Sequence, residues 1–483
     1  MWRLSTLVAV GSLVPTAWSG AVPSEPRLST RQAGDQQPLL PGGPHPNPTT
    51  AYWQMPPHRI ADLRTTPDLP TSQTFDYVIV GSGVSGTTVA YKLLSRDPSL
   101  SILMLEARAA ASGASGRNGG HVKAGDWKQV QKWTAAYGED EALRIGRLEQ
   151  ESVDELRDFV RAHNVSSGFA EVESADLYWT KEAFEGAVRV VDVMNDLERR
   201  RPGDVPQNNT RRVYAGKAAR DHWGWPEILG AITSRGSMHN PYLTVCAMLE
   251  LALGKGLNLQ THTTALALNK LATGGWEVRT DRGTVKGGKV VLATNGYTSA
   301  LHKGFAGTKF LTPNRHQATA VHPEAYATDK DVFHHSASYP DLHSGNEYIT
   351  VRPPGERGEG DLVIGGGKKF SPSRELNLTD DTVVNADMAS HLAAVGRVAY
   401  GHRSWGETTE VLAHWTGICC DTPDGLPLVG GVPGEDGLWA TVCMNGHGMA
   451  WASRSSEALV HMMTEGRAPE WFPRAFRSER AWE

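Results

Sequence analysis

The feature that most constrains the fold is the run Phe75-Asp-Tyr-Val-Ile-Val-Gly-Ser-Gly-Val-Ser-Gly86, with Ile102-Leu-Met-Leu-Glu106 following it. It predicts a buried strand, a glycine turn, an amphipathic helix and a second buried strand that ends in an acid. Gly81 allows the tight turn, Gly83 lets a phosphate approach the backbone, and Gly86 lets the helix lie close to the sheet. The free N–H groups at the helix N-terminus favour phosphate binding. These features together predict an α/β fold with a dinucleotide-binding site.

The acid narrows the choice of dinucleotide. Glu106 lies 20 residues after Gly86, where a carboxylate can accept hydrogen bonds from both ribose hydroxyls. Its negative charge would repel a 2′-phosphate, so FAD or NAD is expected rather than NADP. The alternative interpretation is a glycine-rich turn with a purely structural role, which does not explain why an acid lies at this spacing from the glycines.

Further motifs lie beyond the acid and near the other end of the chain. Residues 111–121 read Ala-Ser-Gly-Ala-Ser-Gly-Arg-Asn-Gly-Gly-His, a run suited to laying backbone N–H groups along a flat polar ring and a phosphate. Trp415-Thr-Gly417 and the Thr-Pro-Asp turn at 422–424 precede an apolar strand over 437–442. Asn-Gly-His-Gly-Met at 445–449 then opens a helix.

This order of motifs resembles the FAD-dependent D-amino-acid oxidase and glycine/sarcosine oxidase superfamily over residues 50–466. The loop at 116–121 and the turn at 422–424 are most similar to its γ-glutamylputrescine-oxidase-type and fungal branches. The resemblance implies a Rossmann-like FAD-binding domain of the glutathione-reductase type and an α+β substrate domain built on an antiparallel sheet. The residues expected to bind FAD are Gly81, Gly83, Val84, Ser85, Gly86, Glu106, Ala107, Arg108, Ser115, Gly116, Arg117, Asn118, Gly119, Gly120, His121, Thr264, Ala293, Thr294, Asn295, Asp424, Gly446, His447, Gly448 and Met449.

The resemblance also implies the reaction: oxidation of a C–N bond of an amine or modified amino acid by hydride transfer to flavin, with O2 as acceptor and H2O2 as product. The catalytic candidates are His447, Tyr348 and Trp415. His447 could equally hold its loop by hydrogen bonds, and the two aromatic side chains could equally form core between the domains. Arg352 could hold a substrate anion or cap a sheet edge, and His121 is expected to pack rather than to link the flavin covalently.

Two departures from the family pattern affect substrate and acceptor. Sarcosine-type relatives have a carboxylate-binding lysine where this chain has Ala450, which favours amines, or amines with a more distant carboxylate, over sarcosine and glycine. They have an oxygen-activating lysine where it has Val363, and Lys368 and Lys369 follow in a different register. Residues 348–370 contain no cysteine, so FAD is expected to be non-covalent.

Two other functions stay open from the sequence. One is a flavin-dependent tailoring dehydrogenase or cyclising oxidase of a natural-product pathway. The other belongs to a different class, a flavin-binding protein without turnover. The intact Gly446–Gly448 turn argues against it, because a protein that only binds flavin has no need to stabilise the charge of the reduced ring.

Composition sets the size and excludes one class of partner. A chain of 483 residues with 40% hydrophobic residues can bury two domain cores. The net charge of −5 and the lack of a Lys/Arg run longer than three residues exclude nucleic acid as an expected partner, and no metal site is expected. The FAD-binding domain is assigned to residues 51–126, 221–311 and 409–470, and the substrate domain to 127–220 and 312–408.

The N-terminus predicts export. Residues 1–21 combine a positive start, an apolar stretch and a small-residue cleavage site, as in a secretory signal peptide, and 22–50 are Pro-rich and expected to be disordered. No later stretch is long enough for a membrane span. Three possible glycosylation sites, at Asn164, Asn208 and Asn377, agree with secretion. The chain has four cysteines, Cys246, Cys419, Cys420 and Cys443. All four are expected to be buried and to pack as small hydrophobic side chains.

Overall fold

The computed structural model describes residues 42–205, 210–324, 336–342 and 347–483. The expected signal peptide, residues 22–41 of the expected disordered segment and the sequence around Asn208 lie outside the described residues. Asn164 and Asn377, the other two possible glycosylation sites, are exposed.

The secondary structure alternates between strands and helices along the chain. The strands are β1 (Thr74–Val80), β2 (Ile102–Leu105), β3 (His121–Val122), β4 (Ala170–Tyr178), β5 (Arg212–Ala215), β6 (Gly230–Met238), β7 (Asn258–Gln260), β8 (Ala265–Lys270), β9 (Trp276–Thr280), β10 (Gly283–Leu292), β11 (Thr312–Pro323), β12 (Ser336–Tyr339), β13 (Glu347–Val351), β14 (Leu362–Gly365), β15 (Thr409–Asp421), β16 (Leu428–Gly431) and β17 (Leu438–Val442). The helices are α1 (Val84–Arg96), α2 (Asp126–Tyr137), α3 (Glu139–Ala162), α4 (Lys181–Arg200), α5 (Lys217–Trp223), α6 (Pro241–Gly254), α7 (Thr298–Leu301), α8 (Lys303–Thr308), α9 (Ala386–Trp405) and α10 (Gly448–Glu465). Within the described residues, none of these helices combines the length and apolar character that crossing a membrane requires.

The first sheet is the predicted nucleotide-binding sheet. Its strand order is β16-β17-β10-β1-β2-β7, and β1 pairs in parallel with both β10 and β2. Strand β9 adds to β10 in antiparallel fashion, and β8 adds to β9. The central strands are covered on both faces, so they are continuous apolar runs; Val78 and Ile79 are completely buried. Helix α1 packs against α6 and α10. The Rossmann-like expectation is confirmed.

The second sheet is mainly antiparallel, as expected for the substrate domain. Its order is β15-β11-β14-β13-β12-β4-β6-β3, with β5 paired to β6 and with β12 parallel to β4. Strands β6 and β15 belong to this sheet, although the sequence analysis placed residues 221–311 and 409–470 in the FAD-binding domain. The difference arises because a mostly buried strand has the same residue pattern in either sheet.

The N-terminal segment 42–50 is packed rather than disordered, so that part of the expectation is wrong. Its backbone is held by hydrogen bonds to distant parts of the chain: Thr49 N donates to Asp381 O at 2.7 Å, and Gly42 N donates to Thr379 Oγ1 at 2.9 Å. Arg117 donates from Nη1 to Thr49 O at 2.7 Å. These contacts satisfy the backbone of a segment whose composition alone indicates disorder.

The cysteine expectation is wrong for two of the four residues. Cys420 and Cys443 form a disulfide that links the end of β15 in the second sheet to the residue after β17 in the first. Cys246 and Cys419 are free. The bonded cysteines are 23 residues apart in sequence, and only the fold brings the two together.

Candidate active site

A cavity of about 1010 Å³ opens at the carboxyl edge of the first sheet. Its wall includes Val80, Leu105 and Ala293, which end or follow β1, β2 and β10. Ligands of open parallel sheets bind at this edge, where the loops after neighbouring strands diverge. The position therefore agrees with the dinucleotide site predicted from the glycine motif.

Two glycines of the motif are required by close contacts. Gly81 has φ +106°, and a Cβ there would lie 2.6 Å from the carbonyl oxygen of Ala293. A Cβ on Gly86 would lie 2.1 Å from the carbonyl oxygen of Gly81. Any side chain at either position would collide with backbone, so α1 can begin directly beneath the cavity only with these glycines. The observed cradle leaves room for a pyrophosphate.

Glu106 is fixed at the cavity wall by three hydrogen bonds. Its Oε2 accepts from Ser82 N at 3.1 Å and from Ser82 Oγ at 2.6 Å, and its Oε1 accepts from Arg108 N at 2.9 Å. The carboxylate is half-buried and lines the cavity. Oε2 already accepts two hydrogen bonds, whereas Oε1 accepts one and keeps lone-pair capacity for a further donor, such as a ribose hydroxyl.

The cavity wall also holds polar atoms that need a ligand. Five buried side-chain atoms on it have no hydrogen-bond partner among the described residues: His121 Nε2, Tyr297 Oη, His316 Nε2, Tyr339 Oη and Thr441 Oγ1. An unsatisfied buried polar atom costs about 1–3 kcal/mol. A large polar ligand such as FAD, with ring nitrogens, carbonyls and phosphates, fits this distribution of donors and acceptors.

Most of the expected FAD residues line this one cavity. They are Gly81, Gly83, Val84, Ser85, Glu106, Ala107, Arg108, Ser115, Arg117, Asn118, Gly119, His121, Thr264, Ala293, Thr294, Asn295, Gly446, His447, Gly448 and Met449. Gly86, Gly116 and Gly120 are absent from the wall. They contribute through close backbone packing; a Cβ on Gly116 or Gly120 would approach a backbone carbonyl to 2.5 or 2.7 Å.

Asp424 does not bind the cofactor, so that expectation is wrong. Its Oδ2 lies 2.6 Å from Arg480 Nε and accepts from Tyr137 Oη at 3.2 Å, while its Oδ1 accepts from Leu426 N at 3.1 Å. The hydrogen bonds of the carboxylate thus close the turn and bind the C-terminal tail. Asp424 lies outside the cavity wall.

Trp415 and Arg352 also lie outside the candidate substrate site. Trp415 is completely buried, donates from Nε1 to the carbonyl oxygen of Arg117 at 2.8 Å, and does not line the cavity. Of its two expected roles, the position agrees with a core residue and not with a residue that contacts the substrate. Arg352 is buried away from the cavity. Its guanidinium lies 5.5 Å from the Trp53 ring centroid, and its Nη2 lies 3.5 Å from Glu356. Arg352 therefore lies outside the site where a substrate anion is expected.

The other two catalytic candidates do face the cavity. The Tyr348 ring lies between Gly119 and Gly365, where a Cβ would come within 2.0 and 2.1 Å of its atoms. Burial and nearby Cys419 raise the pKa of Tyr348, so its hydroxyl remains protonated. These contacts position the ring on the cavity wall, and its catalytic role stays a prediction.

His447 is the N-cap residue of α10 and is half-exposed. Its Nδ1 lies 3.3 Å from Glu149 Oε1, and its ring stacks on Trp451. Both proposed roles therefore have support: His447 lines the cavity and also holds its loop. The N-terminal N–H groups of α10 begin at the same place, as the motif predicted.

Several wall residues were missed by the sequence analysis. Lys368 lines the cavity and donates to Asn314 Oδ1 at 3.0 Å, although its register differs from that of the oxygen-activating lysine of sarcosine-type relatives. Burial lowers the pKa of Lys368 and lowers that of His316 to about 3, which leaves His316 neutral. Lys123 also lines the cavity. A signal for Lys123 existed, because residues two apart in a strand share a face and His121 was already a candidate.

The chain matches the model of the family described as "DAO: FAD dependent oxidoreductase" over residues 76–462. It therefore belongs to this family; it is an FAD-dependent oxidoreductase and its cofactor is FAD. Among curated proteins it is similar to "Probable oxidoreductase OrdL" of Rhizobium meliloti (strain 1021), with 23% identity over 388 residues, covering 78% of this chain and 83% of that protein.

Solved structures agree on the fold. L-amino acid deaminase from Proteus myxofaciens in complex with anthranilate superimposes with a TM-score of 0.67 at 15% identity, covering 92% of this chain and 99% of that chain. Glycine oxidase from Geobacillus kaustophilus gives a TM-score of 0.65 at 18% identity, covering 85% and 99%.

Proposed function

We propose that this protein oxidises the C–N bond of a small amine or modified amino acid. The observation that carries the proposal is the continuity of the cavity. It runs from the glycine cradle at Gly81 and Gly83 to a chamber on the second sheet walled by Trp127, Tyr178 and Tyr348. A small organic substrate in this chamber lies in the same cavity as the cofactor. The names of the deaminase and the glycine oxidase support an amino-acid or amine substrate.

The flavin, when bound, supplies the hydride acceptor, and O2 is the proposed final oxidant with H2O2 as product. The chain's own residues then have three tasks. Trp127, Tyr178 and Tyr348 exclude water and orient the substrate's apolar part. The N-terminus of α10 at Gly448 places N–H groups toward developing negative charge. His121 is kept neutral, because burial first and the nearby lysines second hold its pKa well below the usual range.

The proposal that O2 is the acceptor is supported by Lys368. Its ammonium lies in the cavity wall, where a fixed positive charge favours the uptake of electrons by O2. Cys419, a free and partly buried cysteine, lies on the same wall; its thiol pKa is raised to about 12, mainly by burial, so it adds no thiolate to the site.

An anaerobic screen tests the function. The holoenzyme is mixed with amines, amines carrying a distant carboxylate, and α-amino acids, and the flavin absorbance band is followed before and after admission of air. We expect an amine to bleach the band, and we expect it to do so faster than sarcosine or glycine, because Ala450 is buried and supplies no ammonium for an α-carboxylate. Free FAD with the same amines is the control.

The outcomes separate the alternatives. Bleaching that air reverses, with formation of peroxide, supports an amine oxidase. Bleaching that only an artificial acceptor reverses contradicts O2 as the oxidant and favours the tailoring dehydrogenase. Failure of every amine and amino acid to bleach the band contradicts the proposed reaction and favours flavin binding without turnover.

We propose in addition that the protein is secreted. The support is the charged, apolar and small-residue order of residues 1–21 and the disulfide Cys420–Cys443, since disulfides persist in oxidising compartments. Mass spectrometry of the protein from its native culture should find a mature N-terminus near residue 20, an intact disulfide and glycan on Asn164 or Asn377. An intact Met1 with both cysteines reduced would contradict secretion.

A further inference from the structure

One wall of the cavity carries a lysine ammonium that has no carboxylate partner. Lys123 follows β3, and its Nζ donates to Ser174 Oγ on β4 and to Ser338 Oγ on β12, both at 3.0 Å. Among the described residues, no carboxylate oxygen lies within 4.0 Å of this nitrogen. Since an ammonium has three donors, two neutral hydroxyls leave one N–H directed elsewhere. Lys123 lines the cavity.

The neighbouring charges do not neutralise this ammonium. Lys128 on α2 also lines the cavity, and its Nζ lies 2.6 Å from Asp176 Oδ1. These two charges cancel each other, and His121 is neutral. Glu347, another wall residue, has its Oε1 2.7 Å from His391 Nε2. The carboxylates of Asp176 and Glu347 thus have other partners, whereas the Lys123 ammonium has no carboxylate within ion-pair distance among the described residues. Burial of an unpaired charge is costly.

We propose that Lys123 binds a carboxylate of the substrate and so determines which amines the enzyme accepts. The proposal rests on the proposed function and specifies its substrate class as amines that carry a carboxylate. The carboxylate would accept the free N–H of Lys123 and pair with its charge. Lys123 lies on a different element from Ala450, so it would pair a carboxylate at a different distance from the amine than the α-carboxylate of sarcosine or glycine. Arg352 cannot compete because it lies outside the cavity.

The hydroxyl partners suit this role. Ser174 and Ser338 hold Nζ in place but leave its charge available, whereas a protein carboxylate would compete with the substrate. Trp127, Tyr178 and Tyr339 line the same chamber and offer apolar surface to the carbon skeleton between the carboxylate and the amine. A charged group next to aromatic walls is the usual composition of a small-molecule site.

The affinity for a carboxylate should depend on pH. Burial, together with Lys128, lowers the pKa of Lys123 to about 8, with Asp176 acting in the opposite direction. Below this pH the ammonium is present and affinity is constant. Above pH 8 the free enzyme loses the proton that the anion requires, so affinity should fall by up to about tenfold per pH unit.

Calorimetric titration of the FAD-loaded protein with phenylacetate and with hexanoate tests the proposal without turnover. The neutral amides of both acids serve as matched ligands. We expect Lys123→Met to weaken binding of the acids by about ten- to a hundredfold and to leave the weaker binding of the amides unchanged. Lys123→Arg should retain binding and keep it above pH 8, because guanidinium does not deprotonate there.

The control variant is Lys132→Met, on an exposed lysine of the same helix as Lys128. It should bind both acids as the unmodified protein does. FAD absorbance and thermal unfolding of each variant exclude misfolding. The proposal is overturned if neither acid binds, if the amides bind as tightly as the acids, or if Lys123→Met with normal FAD content keeps the affinity. Each result is independent of whether an amine bleaches the flavin.

Discussion

Replacing Glu106 with arginine should leave the purified protein without FAD. The substitution reverses the charge at the position expected to accept the ribose hydroxyls, and it removes the acceptor for Ser82 N, Ser82 Oγ and Arg108 N. One hydrogen bond to a charged group is worth about 1.5–3 kcal/mol, so its loss alone should lower FAD affinity by about ten- to a hundredfold, and the reversed charge should lower it further. Flavin absorbance per protein after gel filtration measures the effect.

Glu106→Gln provides the matched control for that variant. It keeps the size and one acceptor oxygen but loses the charge, so FAD content should lie between those of the unmodified protein and Glu106→Arg. Circular dichroism must show that Glu106→Arg retains the fold. Normal FAD content in Glu106→Arg, or NADP bound to the unmodified protein, would refute the assignment of this carboxylate.

The nucleotide half of the fold was predictable because its determinants are local. Gly81, Gly86 and Glu106 lie within 26 positions of one another, and each acts through backbone contacts that its neighbours in sequence create. Strand, turn, helix and strand therefore follow from residue pattern and spacing alone. The same holds for the helix that begins after Gly446, where the turn residues precede an apolar helical run.

The remaining parts depend on contacts between distant segments, which pattern and spacing do not specify. The carboxylate of Asp424 could bind a polar ligand, but it accepts a hydrogen bond from Arg480, which lies 56 residues later in the sequence. Trp415 is completely buried, and its Nε1 donates to the carbonyl oxygen of Arg117 instead of facing the cavity. Lys123 acquires its environment from Ser174 and Ser338, on two strands of the second sheet. Sequence patterns identified the residue types, and tertiary pairing determined which of them face the ligand.

The buried ion pair between Arg108 and Asp381 should have the largest effect on stability. Arg108 Nη1 lies 3.1 and 2.8 Å from the two carboxylate oxygens, and the side chains are 6% and 0% exposed. The backbone carbonyl of Asp381 also accepts from Thr49 N, so the pair joins the N-terminal segment to the cavity wall. Removing one member of a buried pair leaves the other charged and without its partner, which costs about 3–5 kcal/mol.

Asp381→Ala should therefore lower the free energy of unfolding by about 3–5 kcal/mol in denaturant titration, and reduce FAD retention because Arg108 lines the cavity.

The neighbouring exposed carboxylate, Asp380, provides the control. Among the described residues its side chain accepts hydrogen bonds only from Thr382 N and Oγ1, so Asp380→Ala should cost about 1 kcal/mol or less. The double variant Arg108→Met/Asp381→Ala should recover stability relative to Asp381→Ala, since no unpaired charge remains. Equal losses for Asp381→Ala and Asp380→Ala would show that the pair contributes no more than a surface contact.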